Sequence, residues 1–203
     1  MGPRFLAKPV TGAATVRVCS YTQGCRQSNA SAIVQQKSGK KGSLDPVEPI
    51  QDFEDLLRLL GKRRVRYLII GGLAFIYHAK PRYTKDMDLW IDPSEDNVKR
   101  ANVALAEFGS PFLLNPDNDE EILQLGVAPD RIDLLRAIKG TRFATAWKNR
   151  IRGKYGKANA NWIDLESLMR IKSRIDHPRH QDDVRVLREV RRCLKRIKLK
   201  GSA

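Results

Sequence analysis

The sequence is poor in the residues that build disulfide-rich, zinc-binding and membrane-spanning proteins. Only three of its 203 residues are cysteine and three are histidine. Three cysteines, at positions 19, 25 and 193, provide neither a disulfide framework nor the spacing of zinc ligands, which favours a reducing compartment. There is also no run of about 18 apolar residues that could cross a bilayer. We therefore expect a cytoplasmic protein with no membrane partner.

Acidic residues are scarce at both ends of the chain. Residues 1–48 carry 7 basic and 2 acidic groups, and residues 184–203 carry 8 and 1, whereas residues 49–183 are nearly balanced at 23 and 20. The first segment shows no sustained apolar periodicity, so we predict a disordered basic extension. Basic ends favour contact with a polyanion such as RNA, and a merely solvated surface is the plainer alternative.

Between these ends, short apolar runs alternate with amphipathic stretches. This alternation predicts one α/β domain over residues 49–198, with a sheet part at 49–163 and C-terminal helices at 164–198. We expect strands at 66–70, 89–91, 122–125, 131–135 and 158–163, and helices at 53–61, 73–79, 93–108, 143–147, 164–175 and 181–197.

Two aspartates stand near the N-terminal end of one of the predicted strands. Asp86 and Asp88 precede the apolar run Leu89-Trp90-Ile91. Residues two apart on a strand project to the same face, so the two carboxylates repel each other unless a cation or a proton neutralises them. Because both ligands are oxygen, Mg²⁺ suits the pair better than zinc.

A glycine pair follows the preceding strand. Gly71 and Gly72 separate the apolar run 66–70 from a helical pattern. Strand, two glycines and helix form an arrangement that cradles phosphate, since glycine admits close approach and the first N–H groups of a helix attract negative charge. A third carboxylate, Asp133, lies in a further predicted strand, so three acids are expected to converge beside the turn. The plainer alternative is an α/β domain whose acids only cap turns.

Together these residues resemble the nucleotidyltransferases of the DNA polymerase beta type, in particular the small toxin-related branch that includes AbiEii-like proteins. The resemblance rests on Gly71-Gly72, on the run from Thr84 to Leu89 and on Asp133, and it covers about residues 50–190. It implies a mixed sheet flanked by helices. It also implies transfer of a nucleoside monophosphate from an NTP to an acceptor hydroxyl by a two-metal mechanism.

The resemblance further implies a role for each matching residue. Asp86, Asp88 and Asp133 would be catalytic and would bind two Mg²⁺ ions, with Gly71, Gly72, Arg82, Thr84, Lys85, Lys172 and Asp183 binding the nucleotide. Lys172 on its own is typical of a surface lysine that lies along an apolar face. The acceptor, whether tRNA or a protein, stays open, as does a toxin–antitoxin role. The alternative function is a catalytically inactive nucleotidyltransferase-fold protein that binds RNA or a toxin subunit.

Overall fold

The computed structural model describes residues 50–84, 86–127 and 130–200, the last three by their backbone alone. These residues form six α-helices and one six-stranded mixed sheet, so the expected α/β class is confirmed. The predictions for residues 1–48 and for Lys85 lie outside the described residues. None of the described helices combines the length and the apolar character needed to cross a membrane.

The helices are α1 Gln51–Lys62, α2 Gly71–His78, α3 Glu95–Phe108, α4 Phe143–Asn149, α5 Leu165–Lys172 and α6 Pro178–Lys200. The strands are β1 Tyr67–Ile69, β2 Asp86–Ile91, β3 Leu123–Leu125, β4 Arg131–Leu135, β5 Ile151–Tyr155 and β6 Ala158–Trp162.

The sheet has the strand order β3-β4-β2-β1-β6-β5. β2 pairs with β1 in antiparallel and with β4 in parallel orientation, while β1 pairs in parallel with β6. The β3–β4 and β5–β6 pairs are antiparallel hairpins at the two edges. β2, which begins with both aspartates of the motif, is therefore fixed by a neighbour on each side.

Each face of the sheet carries its own core. Helices α1 and α3 cover one face, where Met87, Leu89 and Ile91 of β2 are buried. The opposite face buries Trp90 against Phe143 of α4, with α2 and α5 also packed there. Because side chains alternate along a strand, Asp86 and Asp88 share the second face with Trp90.

The structure departs from the expected elements in a few places. β5 was not predicted, although Ile151, Gly153 and Tyr155 alternate with exposed basic residues and Gly156 adopts a positive φ of 54° at the turn. The last helix begins at Pro178 rather than at residue 181, because proline is well tolerated in a helix's first turn. Helix α5 ends at Lys172, three residues earlier than expected.

A buried asparagine joins α3 to the central strands. Asn97 is fully buried, accepts a hydrogen bond of 2.7 Å from the backbone N–H of Arg66, and donates to the carbonyl oxygens of Arg66 (3.1 Å) and Asp92 (3.0 Å). These backbone groups lie where β1 begins and β2 ends. Asn97 supplies a partner to the N–H of Arg66 and to the carbonyl oxygen of Asp92, while the carbonyl oxygen of Arg66 also accepts from the N–H of Asp92 at 3.1 Å.

Replacing Asn97 by alanine should lower the free energy of unfolding by about 2–4 kcal/mol, because buried backbone groups would lose their partners. Urea unfolding followed by circular dichroism measures this. Lys99→Ala, on the exposed side of the same helix, is the matched control and should leave the midpoint nearly unchanged. Equal midpoints for the two variants would contradict the role given to Asn97.

Candidate active site

The structure brings Asp86, Asp88 and Asp133 together on one face of two neighbouring strands. In the parallel register of β2 and β4, Asp86 lies beside Arg131 and Asp88 lies beside Asp133. The result is a square of four charged side chains at the N-terminal ends of the two strands. Neighbouring strands lie about 4.8 Å apart, so the carboxylates interact strongly.

Arg131 is the member of this square that the sequence analysis did not single out. Its Nη2 donates to Oδ2 of Asp86 (2.9 Å) and to Oδ2 of Asp133 (2.8 Å). Arg131 stands two residues before Asp133 on the same strand, so the two-residue period predicts that both share a face. That period was the signal that could have identified it.

The glycine pair lies directly against Asp88. Gly71 has a φ of +62°, and a Cβ at this position would overlap Oδ2 of Asp88. The N–H of Gly72 donates to the Asp88 carboxylate, and a Cβ on Gly72 would overlap Oγ1 of Thr84. The glycines thus allow the first turn of α2 to approach both side chains, and the positive end of the helix faces a carboxylate.

Crowding of the three carboxylates changes the pKa of Asp88. Burial raises the pKa of Asp88 to about 6, and repulsion by Asp86 and Asp133 adds to the rise. The hydrogen bond from Gly72 and the positive charge of Lys172 oppose it. The site therefore holds more negative charge than its own donors neutralise.

A second charged cluster lies beside the first. Nη1 of Arg82 donates to both carboxylate oxygens of Asp183, at 2.6 and 2.8 Å, and Nζ of Lys172 donates to Oδ2 of Asp183 at 2.8 Å. The Arg82 guanidinium also lies 4.6 Å from the ring centroid of Phe75. Two cations therefore surround one anion next to Asp88.

Lys172 and Arg82 differ in how far they are buried, and this decides which of them can contact a bound molecule. Lys172 is only 2% exposed and Asp183 is 5% exposed, so the lysine amine is enclosed with its carboxylate partner. Burial lowers the pKa of Lys172, although Asp183 opposes that effect. The Arg82 side chain remains 18% exposed. Of the two, Arg82 is better placed to meet a bound molecule, while Lys172 acts through its field.

The donor set suits a hard divalent cation. All three acids supply oxygen, and the buried Oδ1 of Asp133 has no hydrogen-bond partner among the described residues. Within residues 50–84, 86–127 and 130–200, no group of three His, Cys, Asp or Glu side chains could hold a metal ion as it stands. Arg131 occupies carboxylate oxygens of Asp86 and Asp133 that a cation would use. The oxygens are of the kind that Mg²⁺ prefers, and they would hold it only if the guanidinium moved away.

The raised pKa of Asp88 makes stability depend on pH. The ordinary aspartate pKa of 3.8 lies below the folded value of about 6, so the contribution of Asp88 to stability is greatest below about pH 4 and is lost as the pH rises through 6. Asp88→Asn should remove this loss and raise the free energy of unfolding at pH 7.5 by about 1–3 kcal/mol. Urea titrations at pH 4 and pH 7.5 measure the difference.

Asp117→Asn, in an exposed loop, is the control and should change stability little at either pH. A destabilised Asp88→Asn protein at pH 7.5 would contradict the electrostatic account, because it would show that the ionised carboxylate is favourable in the fold.

No protein-family model matches this chain, and no curated protein matches it. Among solved structures, it is similar to the crystal structure of an antigenic nucleotidyltransferase-like protein from Paracoccidioides brasiliensis. The TM-score is 0.42 at 13% identity, over 70% of this chain and 78% of that chain. A likeness of that size carries no inference about chemistry, and none of these comparisons bears on the AbiEii-like branch.

Proposed function

We propose that the chain is a Mg²⁺-dependent nucleotidyltransferase that moves a nucleoside monophosphate from an NTP to an acceptor hydroxyl. The observation that carries the proposal is the placement of Asp86, Asp88 and Asp133 on one face of β2 and β4, beside the glycine start of α2. Excess negative charge held by rigid strands needs a cation, and the adjacent helix start favours a phosphate.

Asp133 would activate the acceptor hydroxyl. Its Oδ1 lacks a donor among the described residues but is buried, so it would accept the proton of an incoming hydroxyl only if the side chain became accessible. The hydroxyl oxygen then attacks the α-phosphorus, the bond from that phosphorus to the bridging oxygen breaks, and pyrophosphate leaves. Mg²⁺ held by the three aspartates would supply Lewis-acid stabilisation of the charge on the phosphate oxygens.

The phosphate side belongs to the start of α2 and to the neighbouring cations. In the structure, Asp88 and Thr84 fill the space beside Gly71 and Gly72, so phosphate oxygens would meet this backbone only if those side chains gave way. Arg82 offers a partly exposed guanidinium, and the enclosed Lys172–Asp183 pair adds positive potential beside Asp88. Lys85, which the resemblance also assigns to the nucleotide, lies outside the described residues.

In this scheme Arg131 has two roles. In the structure it neutralises Asp86 and Asp133, and its side chain is one-third exposed. If those oxygens held Mg²⁺, the planar guanidinium of Arg131 could donate to phosphate oxygens instead. Arg131 would therefore neutralise the carboxylates without a cation and bind substrate with one.

The same contacts support a second candidate function. If Arg131 keeps its bonds to Asp86 and Asp133, the protein is a catalytically inactive member of the fold that binds RNA or a toxin subunit. The two candidates differ in whether nucleotide transfer occurs at all.

Transfer can be tested by incubating the protein with each α-phosphate-labelled NTP, Mg²⁺, and total cell RNA or lysate. Asp88→Asn should reduce Mg²⁺-dependent labelling at least about 100-fold, because it removes a charge from the cation site without changing its size. Asp117→Asn, the same substitution in an exposed loop, should keep full activity. EDTA should abolish labelling by the wild type.

Absence of labelling with every NTP and acceptor fraction would favour the inactive binding protein. Full labelling by Asp88→Asn would instead reject this site as the centre of the reaction. For the toxin–antitoxin role, we expect expression of the wild type to arrest growth and expression of Asp88→Asn not to do so.

A further inference from the structure

A cleft of about 800 Å³ lies away from the carboxylates, between the β4–α4 connection, the start of α4 and the end of α5. Four basic side chains line it, Lys139, Arg142, Arg170 and Arg174, together with the hydroxyl-bearing Thr141 and Thr145. All four basic residues are exposed, and no acidic residue is among the described residues that line the cleft.

The four cations have no ion-pair partner among the residues that the structure describes. Elsewhere, Arg58 pairs with Glu54 at 2.8 Å and Lys62 with Glu107 at 3.2 Å. Across residues 50–84, 86–127 and 130–197, by contrast, no acid forms an ion pair with Lys139, Arg142, Arg170 or Arg174. Like charges that lie close together without a partner lower the stability of the fold, and binding of an external anion would relieve their repulsion.

A glycine makes this convergence possible. Gly140 has a φ of +110°, and a Cβ there would lie 2.9 Å from the carbonyl oxygen of Arg170. Only a residue without a side chain lets the β4–α4 connection close onto α5. That contact is what brings Lys139 and Arg142 to the same cleft as Arg170 and Arg174.

The basic surface continues beyond the first cleft. A second cleft of about 320 Å³ shares Arg170 and adds Arg188 and Arg191 of α6. Its acid among the described lining residues is Glu166, which pairs with Arg191 at 3.2 Å. Arg170 thus joins two adjacent clefts into one surface, which we call the α5 basic surface: Lys139, Arg142, Arg170, Arg174, Arg188 and Arg191.

The size and chemistry of this surface indicate its ligand. Six basic groups spread over α5, α6 and the β4–α4 connection exceed what a single phosphate group can contact, whereas a chain of phosphates can meet them in succession. Among the described residues lining the two clefts, none is aromatic, so stacking onto bases contributes nothing there.

We propose that the α5 basic surface binds the sugar-phosphate backbone of a nucleic acid strand without reading its sequence. This goes beyond the proposed transferase activity, because none of the three aspartates takes part. It also places the contact elsewhere than the basic chain ends, for which the sequence predicted RNA contact, since four of the six cations lie before α6.

The test measures binding of a fluorescent single-stranded 20-nucleotide RNA to the full chain by anisotropy, without NTP or Mg²⁺. The test variant is Lys139→Gln/Arg142→Gln/Arg174→Gln. The matched control is Arg152→Gln/Lys154→Gln/Lys157→Gln on the β5–β6 hairpin, which removes the same charge from three other exposed positions. Both proteins keep the same basic termini.

The cleft variant should bind at least about tenfold more weakly near 100 mM salt, and its slope of log affinity against log salt should be smaller by about 2. The hairpin control should lose much less of its affinity for RNA. Equal losses in the two variants would overturn the proposal, because they would show that net charge alone attracts RNA.

Three further arms complete the test. A DNA strand and an RNA of unrelated sequence should bind with similar affinity, and strong sequence preference would overturn backbone recognition. Inorganic phosphate at millimolar concentration should fail to displace the RNA, and full displacement would assign the cleft to a small anion. If the glutamine variant does not fold, the charge-conserving Lys139→Arg/Arg142→Lys/Arg174→Lys protein must retain binding, and its failure to do so would reject the surface.

These results are independent of the transferase proposal. Asp88→Asn should bind RNA as well as the wild type does, whatever its transfer activity. Loss of transfer with intact RNA binding therefore concerns the carboxylates, and loss of RNA binding with intact transfer to a small acceptor concerns the α5 basic surface.

Discussion

Repulsion among three carboxylates on one sheet face is the constraint around which the structure is arranged. Asp88 lies between Asp86 on its own strand and Asp133 on the next, and the strands cannot move apart without losing their ladder. Three groups reduce this repulsion: the guanidinium of Arg131, the N–H of Gly72, and the neighbouring Lys172–Asp183–Arg82 cluster. These donors reduce the repulsion without removing it, as the raised pKa of Asp88 shows.

The two cores make that arrangement rigid. β1 and β2 are buried on both faces, and apolar contacts hold Met87 and Leu89 on one side and Trp90 on the other. The stabilisation that these cores provide offsets the electrostatic cost at the open ends of the strands. A site that binds a cation and a phosphate gains from such preorganisation, because the charges are already in place before the ligand arrives.

Helix α5 separates two regions of different chemistry. Residues two apart on a helix do not face each other, so Lys172 points inward to Asp183 while Arg170 lies at the surface between two clefts. One short helix thus contributes an enclosed charge to the carboxylate site and an exposed charge to the α5 basic surface.

Short-range sequence patterns were enough to predict many of the structural elements of this protein. The strand after Asp86 and Asp88, the glycines before α2, the β3–β4 hairpin and the cap of α5, where Asp164 accepts from the N–H of Ser167 at 2.9 Å, all follow from neighbouring residues. β5 could have been recognised by the same means. The two-residue period places Arg131 and Asp133 on one face of β4. The bond from Arg131 to Asp86, the enclosure of Lys172 with Asp183 and the closure of Gly140 onto α5 instead join segments that are distant in sequence or depend on burial. Such contacts are decided by how strands pair and helices pack, and periodicity along the chain carries no information about them.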